Sequence, residues 1–207
     1  MSKVKICGLS RVEDVYAVNR EMPDFIGFVF AESRRRIDEM TAAALREKLD
    51  AGIETVGVFV NQETEFIADL YKKGIIDLAQ LHGDEDSGYI ERLRGRAASL
   101  GRRPMRIIKA IGIGDKQREL PAGADYLLFD TASEQRGGMG KTFDWDILRD
   151  YGWPPYFLAG GLTISNVASG IELLAPFCVD VSSGVETDGV KDAMKITEFI
   201  RIVREAS

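Results

Sequence analysis

The sequence is poor in the residues that build metal centres and cross-links. It has one histidine and two cysteines, Cys7 and Cys178. A single histidine leaves no multi-histidine metal site, and the cysteines have no metal-type spacing. The chain lacks any run of about 18 apolar residues, which argues against a membrane-spanning helix. No signal peptide opens it. Positive charge is also short. The formal net charge is −6, so there is no global basic field to bind nucleic acid or an anionic membrane. Arg34-Arg35-Arg36 is a local basic cluster only. These absences predict a reduced, cytoplasmic protein.

What the chain does have is 207 residues, 45% of them hydrophobic. That supports one substantial core, and single β/α barrels reach this size. Strand-like runs fall at 3–7, 25–30, 55–60, 77–81, 106–111, 126–130, 156–159 and 179–182. Several are apolar on both faces, as in Val56-Gly57-Val58-Phe59-Val60, which suits a parallel sheet covered on its outside. Helical stripes lie between them. Val12, Val15, Tyr16 and Asn19 follow a capping box predicted at Ser10 and Glu13. Leu45 and Leu49 follow a cap at Asp38 or Thr41. Phe66, Ile67, Leu70 and Tyr71 form the third stripe, and Ile90, Leu93, Ala97 and Leu100 the fourth. The fifth helix has only 115–120 available. Ile147, Leu148 and Tyr151 make the sixth, Val167, Ile171 and Leu174 the seventh, and Ile196, Phe199, Ile200 and Val203 the last. Eight alternating β/α units without a linker predict an α/β fold, a single eight-stranded parallel TIM barrel, as one domain over 1–207. The rival, an open doubly wound sheet, needs a topological switch point, and nothing breaks the alternation.

In such barrels the C-terminal strand ends carry the chemistry. Gly160-Gly161 ends strand seven, and Ser182-Ser183-Gly184 ends strand eight. Those two consecutive loops are the usual phosphate cradle of the fold, although glycines there also serve plain tight turns. Gly137-Gly138-Met139-Gly140-Lys141-Thr142 looks like a nucleotide P-loop, but Gln135 stands where its first glycine belongs. It reads as a loop after strand six that is able to close over the site, or as a plain connection.

Cys7 ends strand one beside the glycine loops. Helix N-termini are expected to lower its pKa and make it a nucleophile or base, where the bland alternative is a small apolar filler. Cys178 fits that alternative, near the opposite end of the barrel, which argues against a Cys7–Cys178 disulfide. Asp130 ends strand six, and a carboxyl paired with a thiol across a pocket suggests acid–base work. His82, at the end of strand four, either touches ligand or is satisfied structurally. At least one of the three arginines is expected to face the pocket, where guanidinium binds carboxylate bidentately.

These residues resemble the phosphoribosylanthranilate isomerase family. The matching motifs are Lys5-Ile6-Cys7-Gly8, Gly27-Phe28-Val29-Phe30, Val56-Gly57-Val58-Phe59-Val60-Asn61, Gln80-Leu81-His82-Gly83, Asp130-Thr131, Gly137-Gly138-Met139-Gly140-Lys141-Thr142-Phe143-Asp144-Trp145 and Val179-Asp180-Val181-Ser182-Ser183-Gly184-Val185-Glu186. They run in order from end to end of the chain. The resemblance implies a cofactor-free Amadori rearrangement of an anthranilate N-glycoside carrying a 5′-phosphate. It implies Cys7 as general base and Asp130 as general acid. After strand two the chain departs from the family's Ser-Pro-Arg pattern. Aligning Ser33 with the family serine puts the carboxylate-binding arginine at Arg35, and a gap placed differently puts it at Arg36. Rival readings are a histidine-pathway phosphosugar isomerase, which usually carries an aspartate where Cys7 stands, and a non-catalytic phosphosugar-binding module. The oligomeric state, monomer or homodimer, stays open.

Overall fold

A computed structural model describes residues 1–99, 104–113, 122–131, 145, 148 and 155–207. The strands are β1 (Lys3–Cys7), β2 (Phe25–Val29), β3 (Glu54–Phe59), β4 (Leu78–Leu81), β5 (Arg106–Ile113), β6 (Tyr126–Thr131), β7 (Tyr156–Leu158) and β8 (Cys178–Val181). They close into a barrel in sequence order, and β1 pairs with both β2 and β8 in parallel. Helices α1 (Val12–Glu21), α2 (Glu39–Arg46), α3 (Thr64–Lys72) and α4 (Ser87–Ala98) follow the first four strands. Two more, Val167–Leu174 and Ala193–Glu205, follow β7 and β8. The expected fifth helix at 115–120, Leu100, Ile147 and Tyr151, and the glycine tract of 137–142 lie outside the described residues.

Strand alternation sorts the side chains into two layers. Ile6, Phe28, Phe59, Leu81, Phe129, Leu158 and Val181 pack outward against the helices. Phe25, Val56, Leu78, Ile108, Leu128, Phe157 and Cys178 pack together in a second cluster inside the barrel. There Phe25 and Phe157 meet at 5.5 Å between ring centroids. Cys178 pairs in register with Lys3, four residues before Cys7, so the two thiols are separated by ~13 Å of strand rise. Both cysteines are free and buried.

The helix starts differ from the sequence reading in one place. The residue that reaches back at the start of α1 is Asp14, not Glu13. Its Oδ2 accepts the Ser10 and Arg11 amides at 3.0 and 3.1 Å. The helix begins one residue later than expected, with Arg11 at the N-cap, and this puts Asp14 at the third helical position. The buried stripe turns accordingly. Val15, Ala17 and Val18 are buried, while Tyr16 is 56% exposed. Helix α2 ends at Arg46, so Leu49, expected on its stripe, lies beyond the helix, though buried. Asp38 caps α2 by accepting the Thr41 amide at 2.8 Å. Ile196, Phe199, Ile200 and Val203 are all fully buried on the last helix.

One element was not anticipated. After β8 a single 3₁₀ turn (Ser183–Val185) leads into a two-stranded hairpin, Glu186–Thr187 against Val190–Lys191. Its turn is Asp188-Gly189, both with positive φ. That dipeptide is a strong short-range hairpin signal, because both turn positions need positive φ.

Candidate active site

The thiol of Cys7 projects from the last residue of β1. Its neighbour across the strand pair is Gly27. A Cβ on Gly27 would stand 2.6 Å from the Cys7 sulfur, so only glycine leaves room for the thiol in this position. Cys7 is 8% exposed. Its pKa lies above the ordinary thiol range, because burial disfavours the thiolate. The Lys5 and Lys191 ammoniums pull it back down, and Asp180 pushes it up. The expected lowering by helix N-termini is therefore corrected. Desolvation dominates, and the groups that favour the thiolate are two buried lysines.

Below Cys7 the barrel interior is polar. Lys5 is fully buried and donates to Asp180 Oδ2 at 2.8 Å and to Gln80 Oε1 at 2.7 Å. Burial pulls the Lys5 pKa down, but Asp180 together with the two thiols more than compensates, and the group stays a cation. Asp180 Oδ1 is buried and, among the described residues, takes no hydrogen bond. Gln80 Nε2 lies 3.0 Å from His82 Nδ1, and His82 Nε2 lies 3.4 Å from Asp130 Oδ2. The His82 and Asp130 side chains are about one-third exposed, at 35% and 33%. The segment carrying His82 is held by Glu85, a buried carboxylate that accepts the Asn61 and Gly83 amides and the Lys109 ammonium.

The loops after β7 and β8 pack directly on one another. A Cβ on Gly184 would stand 1.9 Å from the Leu162 carbonyl oxygen. Gly160 and Gly161 have φ of 82° and 69°, the left-handed region that glycine enters freely. Among the described residues, no acceptor takes the amides of Gly160, Gly161, Ser183 or Gly184. Amides on two adjoining loops that no acceptor takes among the described residues are a donor set suited to an anion. The Ser182 hydroxyl has a different partner. It donates to the Cys7 carbonyl at 3.0 Å and ties the end of β8 to the end of β1.

The three arginines separate cleanly. Arg35 crosses over Gly8, where a Cβ would stand 2.5 Å from Arg35 Cδ. It forks onto Glu186 through Nε and Nη2 at 2.6 and 2.9 Å. Arg34 reaches the same carboxylate from a more exposed position, and Arg36 turns away to Glu32. Glu186 also receives Lys191 Nζ at 2.7 Å. Burial works to raise the Glu186 pKa, but Arg35 and Lys191 hold it below the usual carboxylate range. Lys191 further donates to the Ser182 carbonyl at 2.9 Å. The hairpin thus delivers Glu186 and Lys191 to the rim.

Sequence reasoning assigned no role to Lys5, Gln80, Asp180, Glu186 or Lys191. The usable signal for Lys5 and Asp180 was positional: each is a charged residue at an inward register of an otherwise apolar strand. Among the described residues, no group of three or more His, Cys, Asp or Glu side chains is placed to hold a metal ion, and no helix is long and apolar enough to cross a membrane.

Fold and rim together define the class: a β/α-barrel enzyme with its polar groups gathered at the C-terminal strand ends. Comparison with known proteins narrows this. Residues 4–202 match the family model described as N-(5′-phosphoribosyl)anthranilate (PRA) isomerase. A protein of that name from Endomicrobium trichonymphae is 49% identical over 205 residues, covering 99% of each chain. The crystal structure of phosphoribosyl anthranilate isomerase from Thermotoga maritima is 36% identical with a TM-score of 0.83, covering 99% of this chain and 100% of that one. A further structure of this kind, 33% identical with a TM-score of 0.79 over 99% and 100% of the two chains, was solved with reduced 1-(o-carboxyphenylamino)-1-deoxyribulose 5-phosphate. The chain belongs to the N-(5′-phosphoribosyl)anthranilate isomerase family.

Proposed function

We propose that this protein, as one barrel domain over 1–207 in the cytoplasm, converts N-(5-phosphoribosyl)anthranilate to 1-(2-carboxyphenylamino)-1-deoxyribulose 5-phosphate in tryptophan biosynthesis. Cys7 is the general base and Asp130 the general acid. The observation that carries this reading is that one rim holds a thiol near two buried ammoniums, a carboxyl on another strand, and amides on two adjoining loops that no acceptor takes among the described residues. A relative solved with the reduced product supports the substrate class.

The chemistry follows from the groups. Asp130 protonates the ribose ring oxygen as the C1′–O bond opens to a Schiff base. The Cys7 thiolate then removes the proton from C2′, and the electron pair moves toward the Schiff-base nitrogen to give an enolamine. Tautomerisation yields the ketone. The 5′-phosphate occupies the loops of Gly160, Gly161, Ser182, Ser183 and Gly184, where backbone amides are the donors. Arg35 binds the anthranilate carboxylate by exchanging part of its fork from Glu186 to the ligand, and His82 lines the pocket beside Asp130. The reaction needs one acid, one base and anchoring charges, so it runs without a cofactor.

The test is turnover followed by loss of the fluorescence of the anthranilate glycoside. Cys7→Ser and Asp130→Asn should each lower kcat at least about 10²-fold, with product affinity kept. Near wild-type turnover in either variant removes that residue from the mechanism.

A further inference from the structure

The carboxyl assigned as the acid is not aimed by its own strand alone. We infer that Lys5, which has no access to substrate, sets the tautomer of His82 through the Gln80 amide, so that His82 presents an Nε2–H to Asp130. This rests on the reading of Asp130 as the acid only for its kinetic consequence, not for its geometry.

The deduction uses donor and acceptor counting. An ammonium has three donors and no acceptor. Lys5 is a cation paired with Asp180, so the Gln80 atom it meets at 2.7 Å must be the amide oxygen. That choice removes the usual ambiguity of a glutamine amide and leaves the NH₂ group 3.0 Å from His82 Nδ1. An NH₂ group can only donate, so Nδ1 must present its lone pair. In the neutral ring the proton is then on Nε2, the nitrogen 3.4 Å from Asp130 Oδ2. Three strands, β1, β4 and β6, are linked in sequence by one chain of defined polarity. A contact of that length is typical of a ligand-free site and tightens when the pocket fills. The opposite tautomer would set two N–H groups against each other at Gln80. Lys5 and Gln80 are therefore positioning residues that act through His82.

The chain has a single histidine, so its ring nitrogens can be observed without assignment. The experiment is ¹⁵N NMR of the histidine in the ligand-free protein at pH 8. Wild type should show the Nε2–H form, with Nδ1 at the shift of an unprotonated nitrogen. Gln80→Glu keeps size and a partner for Lys5 but replaces the donor with an acceptor. It should protonate Nδ1, as the reversed tautomer or as the cation. Gln80→Met removes the donor without adding an acceptor and should give a mixture, and it serves where the glutamate variant does not fold. An Nδ1–H tautomer in wild type overturns the proposal, as does an unchanged Nε2–H form in the variants.

Kinetics give the second arm. Gln80→Glu should lower kcat about tenfold with KM within about twofold, and it should add no loss in an Asp130→Asn background. An equal further loss in that background means Gln80 does not act through Asp130, and overturns the kinetic part of the proposal. If Asp130→Asn alone is fully active, the acid assignment fails while the tautomer result stands on its own.

Discussion

The two cysteines stand at opposite ends of the same barrel interior, and the contrast between their surroundings shows how the molecule divides its work. Cys178 is fully buried among Phe25, Val56, Leu78, Ile108 and Phe157. Its sulfur lies 3.5 Å from the neighbouring Val179 carbonyl. Cys7 has similar burial but sits above Lys5, Gln80 and Asp180, beside Lys191. Burial raises both thiols, and Cys178 further than Cys7. At one end the thiol lies in an apolar cluster, Asp180 and Asp24 add to the rise, and Lys5 and Lys3 offset it only in part. At the other, buried cations make the thiolate attainable. Residue type and burial do not distinguish them; the balance of neighbouring charge does, since Lys191 acts on Cys7 and Asp24 on Cys178.

The sharpest way to break this comparison is at the apolar end. Phe157 is fully buried and touches Phe25, Tyr126 and Phe177. Phe157→Ala should cost ~3–5 kcal/mol of stability, measured by denaturant titration, while kcat per folded molecule stays near wild type. A large fall in kcat would mean that the two ends are not separable.

At the polar end, Gly27→Ala puts a methyl group against the Cys7 sulfur. The expected result is a fall in kcat of up to ~10²-fold, since small misplacements of reacting groups are that costly. Stability should fall by ~1–3 kcal/mol, as for other overpacked sites. Unchanged kcat would show that the position of the sulfur does not matter.

A smaller effect is expected from Cys178→Ser. A hydroxyl in the apolar plug lacks a good partner and should cost ~1–3 kcal/mol with kcat and its pH dependence intact. The same substitution at Cys7 should reverse the pattern, removing turnover and sparing the fold.

The smallest effect separates the two thiols by pH. The base must be a thiolate, and its pKa in the free protein lies above the ordinary value. The thiolate fraction is therefore low at neutral pH and grows as pH rises. kcat/KM, which reports groups of the free enzyme, should climb through the alkaline range. Lys191 pulls that pKa down, so Lys191→Met should move the climb to higher pH. A limb that stays in place would remove Lys191 from the electrostatics of Cys7.

Much of this was determined by the sequence itself. The alternation of Val4 and Ile6 with Lys5 and Cys7 set which side chains enter the barrel, because strand geometry has period two. Eight such units defined the closed sheet, and strand ends then named Cys7, Asp130 and the glycine loops as rim residues. Local chemistry such as the Asp38 cap is carried by a few adjacent residues and needs no long-range information. A one-residue shift, Asp14 for Glu13, is the scale of error that local signals allow. What only the tertiary structure decided is who meets whom. Lys5 bonds Gln80 and Asp180 across separations of 75 and 175 residues, and Arg35 meets Glu186 across 151. Closing the barrel creates those neighbours and excludes water from around them. The ionisation of Cys7 depends on both, so its direction could not be read from Cys7 and its flanking residues alone.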